Sequence, residues 1–159
     1  MKNIPMLLLL LCPYLYVGYC LARGLDSAAL WIWLGGCLLL LLPNMVYAFL
    51  LPRLQYRGSQ VLFWNMLLKI CHIPLYLLVF FLALFLHVLI LPLLPLLLLF
   101  DYSLLLSTSM YGVSGILCCR RSGHFTRRAA AVQILLQLLF CLDVCSAVYC
   151  FLRARRAGA

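Results

Sequence analysis

Between Val61 and Cys119 the chain runs for about sixty residues that are almost wholly apolar, and its chief interruptions are Lys69, His72, His87, Asp101 and the proline pair Pro92 and Pro95. A helix needs about twenty residues to cross a hydrocarbon core of about 30 Å, so this stretch is too long for one crossing and right for two. It predicts a tight helical hairpin turning near Leu91 to Pro95.

The rest of the chain fits the same solvent. Of 159 residues 68% are hydrophobic, and the mean hydropathy is +1.16, which leaves too few polar side chains to coat a globule in water. Only Asp26, Asp101 and Asp143 are acidic, against twelve Lys and Arg, for a net charge of +9. That charge does not mark a nucleic-acid protein. The basic residues sit at the ends of apolar runs, where the positive-inside rule and anionic head groups place them, and there is no soluble basic domain to hold a duplex or a single strand. The nine cysteines lie in or beside apolar runs and contain no CxxC pair, so they read as small hydrophobes.

Taken in order, the chain predicts five spans, at 4–22, 28–51, 61–90, 92–119 and 129–152, in one all-α membrane bundle with no extramembrane domain. Lys2 followed by Ile4 to Cys20 resembles a signal sequence, but its cleavage site is poor and nineteen apolar residues are enough to span, which favours an uncleaved first helix. Arg23 to Ser27 is a polar turn. Trp31 and Trp33 open the second span as interfacial residues, and Pro43 with Asn44 marks a kink. Arg53 and Arg57 place the 52–60 loop in the cytoplasm, together with the N-terminus, and Arg120, Arg121, Arg127 and Arg128 do the same for the next loop. A fifth crossing leaves Arg153, Arg155 and Arg156 outside, against that rule. Five crossings still keep most of the positive charge inside; the alternative is a re-entrant or surface-lying last helix.

Polar groups at bilayer depth cost about 2.5 to 3.5 kcal/mol each and call for a partner, an escape or a task. On the third span Asn65, Lys69, His72 and Tyr76 recur at spacings of four, three and four, one inward stripe. The plainer reading has Lys69 snorkelling to the surface while Asn65 and His72 hydrogen-bond other helices; the sharper one is a polar track. On the fourth span Asp101, Thr108, Gly112, Gly115 and Cys119 share a face, with Thr108, Gly112 and Gly115 as a packing surface of small residues. On the fifth, Gln133, Gln137, Phe140 and Asp143 share an arc. Laid antiparallel, the helices bring Gln137 to the depth of His72 and Asp143 within about a turn of Asp101. Two such carboxyls either share a proton or a cation, or are separately hydrogen-bonded.

No nucleophile elbow, H-E-x-x-H or glycine-rich phosphate loop is present, and Cys118, Cys119 and His124 lack a second pair of metal ligands, so neither an enzyme nor a cofactor or metal protein is expected.

The segments NMLLKICHIPLYLLVF (65–80), FDYSLLLSTSMYGVSG (100–115) and FCLDVCSAVY (140–149), with K-x-x-H-I-P and Q-x-x-F-C-L-D-V among them, resemble the signatures of a family of small, uncharacterised bacterial multi-spanning membrane proteins. The likeness covers about the last hundred residues and leaves out the first two helices. It implies a membrane protein of no established activity. Two functions are therefore expected: a non-enzymatic accessory or interaction protein of the cytoplasmic membrane, or a small oligomeric transporter or channel with a proton or cation relay through Lys69, His72, Asp101 and Asp143. The partners expected are the lipid bilayer and another membrane protein or a second copy, with no nucleic acid.

Overall fold

The computed structural model describes residues 3–23, 27–54, 56–85 and 94–158. Among these there are six α-helices and no strand: α1 (Ile4–Arg23), α2 (Ser27–Leu50), α3 (Gly58–Phe85), α4 (Leu94–Arg121), α5 (Arg127–Leu136) and α6 (Leu142–Arg156), with a short 3-10 turn at Leu51–Leu54 after α2. The expected turn around Leu91, together with His87, Asp26 and the side chains of Trp31 and Trp33, lies outside the described residues. Among the described residues two helical stretches are long and apolar enough to cross a membrane, Gly58–Phe81 and Leu98–Arg121.

These two long helices form the centre of the bundle, and their packing on each other is the most extensive in the fold. Glycine makes it close. A Cβ on Gly115 would lie 2.8 Å from the Leu62 side chain, and one on Gly58 would lie 2.5 Å from Cys119 Sγ, so a larger residue at either position forces those side chains to shift. α2 packs on α4 and runs unbroken through Pro43. Asn44 is buried there and its Oδ1 accepts from the Tyr111 hydroxyl of α4 at 2.6 Å. α1 closes the other side, where the Tyr14 hydroxyl donates to the Cys71 carbonyl of α3.

The last apolar segment departs from expectation. A single helix over 129–152 does not form. α5 ends at Leu136, Cys141 takes a φ of 66°, and α6 runs back antiparallel to α5. Gln133 of α5 lies beside Ser146 and Cys150 of α6, and the Arg153 guanidinium stands 4.8 Å over the Phe125 ring just ahead of α5. At 1.5 Å per residue the ten-residue α5 reaches only about 15 Å, half of a hydrocarbon core. Neither Pro nor Gly stands at the break. Its cause is in the neighbouring helices, as the site shows.

The fold-back gathers charge at one end. Tyr56 donates to Asn3 Oδ1 at 2.6 Å, Gly58 faces Cys119, and the rings of Phe63 and Phe151 lie 5.6 Å apart. The start of α1, the loop before α3, the end of α4 and the end of α6 therefore meet. Arg53, Arg57, Arg120, Arg121, Arg127, Arg128, Arg153, Arg155 and Arg156 all belong to that end.

Candidate functional site

The tip of the α5–α6 hairpin meets the middle of α3 and α4. Lys69 is eleven residues into α3, about 16 Å along it, and is fully buried. It does not snorkel. Its Nζ lies 2.9 Å from Asp143 Oδ2, 3.1 Å from Ser109 Oγ and 3.2 Å from the Gln137 carbonyl. Among the described residues this is the one salt bridge.

These bonds explain the break. In a continuous helix the Gln137 carbonyl would accept from the amide of residue 141. Here it accepts instead from Lys69 Nζ and from Ser109 Oγ, the latter at 2.5 Å. A cation at the carbonyl end of α5 and a carboxylate in the first turn of α6 both complement the helix dipoles. Asp143 completes that turn, since its Oδ1 accepts from the Val144 amide at 2.8 Å. The buried Gln137 carbonyl at the end of α5 is thus met by side chains from α3 and α4, and the start of α6 is capped by its own Asp143, while residues 138–142 of the tip are exposed.

The glutamines carry the network further. Asn65 donates to Gln137 Oε1 at 3.3 Å, Gln137 Nε2 donates to Ser146 Oγ at 3.3 Å, and Ser146 donates to Gln133 Oε1 at 2.7 Å. Gly112 admits the Gln137 side chain. A Cβ there would stand 2.7 Å from Gln137 Oε1 and 2.9 Å from Asn65 Nδ2. Thr108 turns to its own helix, donating to the Leu104 and Leu105 carbonyls.

His72 and Asp101 stand apart from this network. His72 is fully buried with neither ring nitrogen hydrogen-bonded; the Leu9 and Leu68 carbonyls face it, and the Tyr14 ring stacks at 6.5 Å. Asp101 is buried beside Phe100 with Oδ1 unpartnered. The Tyr76 hydroxyl is likewise buried without a hydrogen bond, and its ring contacts Phe140 of the hairpin tip edge-on at 5.6 Å.

Asn65, Lys69, Gln137 and Asp143 are therefore brought together, Gly112 supports them, and His72 and Asp101 are not joined to them by a direct bond. Ser109 and Ser146 belong to the site and are missed by reading the sequence. Ser109 had a signal: Leu105, Ser109, Gly112 and Ile116 recur at four, three and four, and all are buried. Among the described residues no cluster of three metal-ligating side chains occurs.

A family model described as a family of unknown function, DUF6652, matches residues 3–156, so the likeness reaches the first two helices as well as the last hundred residues. No curated protein and no solved structure matches the chain.

Proposed function

The chain belongs to DUF6652, a family of unknown function, and from its geometry we propose that it is a multi-pass protein of the cytoplasmic membrane, a non-enzymatic accessory or interaction protein that docks on another membrane protein or on its own copies. One observation carries the membrane placement. The molecule is apolar outside and polar inside: Leu39, Leu15 and Leu135 are 77%, 70% and 64% exposed, whereas Asn65, Lys69, His72, Thr108 and Gln137 are wholly buried. In water that arrangement is inverted; in lipid it is the ordinary one. α1 and α2, of 20 and 24 residues, are long enough to cross beside α3 and α4, and the α5–α6 hairpin is re-entrant. Four crossings put both termini and nine arginines on the cytoplasmic side, which removes the conflict a fifth crossing creates.

The interaction role follows from how the central network is closed. Lys69 is engaged by three acceptors and both Asp143 oxygens accept, so the charged atoms are committed to holding the hairpin. What remains for a partner is the apolar outer surface. Purification in mild detergent tests this role: a membrane protein recovered at fixed stoichiometry is the expected result.

A relay is the second reading, and one observation favours it: the His72 ring nitrogens and the Tyr76 hydroxyl of α3 and Asp101 Oδ1 of α4 are all buried without hydrogen bonds. Recovery only as a homo-oligomer, with proton or cation flux in proteoliposomes that Asp101→Asn abolishes, would replace the interaction role with this one.

A further inference from the structure

At the arginine-rich end a cavity of about 730 Å³ opens between the start of α3 and the end of α6. Its lining changes along the helix axis. Asn3, Ser59, Gln60 and Arg155 form the outer part, and Phe63, Trp64 and Phe151 lie about one turn further in. The inner three make one aromatic wall, with Phe63 and Trp64 rings edge-on at 6.3 Å and Phe63 and Phe151 at 5.6 Å.

Among the described residues the cation of this cavity has no ion-pair or hydrogen-bond partner for its guanidinium. Arg153 lies over Phe125 and donates to the Tyr149 hydroxyl at 2.9 Å, whereas Arg155 is exposed into the cavity, and the described acids Asp101 and Asp143 are both elsewhere. An oxyanion therefore meets a guanidinium and side-chain amides at the mouth, and an apolar chain attached to it meets aromatic rings. We infer that this cavity is a binding site for an anionic phospholipid, with its phosphate at Arg155 and the start of an acyl chain against Phe63, Trp64 and Phe151. The inference rests on the membrane placement proposed above, since the gradient from polar to aromatic matches a lipid only if this end lies at the interface.

The test is native mass spectrometry of the full chain in a neutral detergent, titrated with phosphatidylglycerol, with phosphatidylcholine of the same acyl chains, and separately with inorganic phosphate. Phosphatidylglycerol is expected to be retained at about fivefold lower concentration than phosphatidylcholine. R155Q should reduce that preference to within about twofold, while R156Q, which removes the same charge from a residue outside the cavity, should keep it. Equal effects of R155Q and R156Q would overturn the site in favour of diffuse attraction. Inorganic phosphate retained as well as the lipid would overturn the acyl-chain part of the assignment. Retention of the protein in membranes washed with alkaline carbonate tests the placement separately, so a protein that stays in the pellet and shows no lipid preference contradicts this inference alone.

Discussion

Asp143 and Asp101 look alike in the sequence, each a lone acid in an apolar helix, and the fold treats them differently. Asp143 occupies a helix start, bonds the Val144 amide and pairs with Lys69. Asp101 sits within α4 with Oδ1 unpartnered. A buried acid with a cation on one oxygen and an amide donor on the other is a fastening; one with an idle oxygen has capacity left for a proton or a ligand. The difference lies in the neighbours and not in the residue.

That contrast sets the scale of the effects. The largest is expected from removing one partner of the fastening: Lys69→Ala or Asp143→Ala should cost about 3 to 5 kcal/mol, because each leaves the other charge buried and alone. Thermal unfolding in detergent reads this. The paired change Lys69→Met with Asp143→Leu should recover most of the loss, and a double variant whose loss equals the sum of the two single losses would show that the pair is not coupled. Gly112→Ala comes next, at about 1 to 3 kcal/mol, since its methyl meets a Gln137 side chain held in place by Asn65 and Ser146. Wild-type stability in that variant would mean that Gln137 is free to move. The smallest effect is expected at Asp101→Asn, within about 1 kcal/mol of wild type, because no bond to Oδ1 is lost. A loss as large as that at Asp143 would erase the distinction between the two acids.

Much of this was legible in the sequence. The two long apolar helices, their inward stripe through Asn65, Lys69 and His72, and the glycine contacts at Gly112 and Gly115 follow from length and periodicity, which are local properties. The broken helix was not, because nothing within residues 129–152 forces it: the break is stabilised by Lys69 and Ser109, about seventy and thirty residues away, competing for one backbone carbonyl. The tail arginines were the visible symptom. Their conflict with a fifth crossing disappears once the segment folds back, so a charge pattern that disagrees with a hydropathy pattern pointed to the element with unusual geometry.

The most direct measurement of the account is the side of the membrane on which the chain's tail lies. A protease site placed after Arg156, and another in the loop between Leu54 and Gly58, are exposed to protease in sealed vesicles of known orientation. Four crossings with a re-entrant hairpin predict that both sites are cut from the same, cytoplasmic side. Cleavage of the tail from the opposite side would show that residues 127–156 cross the membrane, and the hairpin fastened by Lys69 and Asp143 would be wrong.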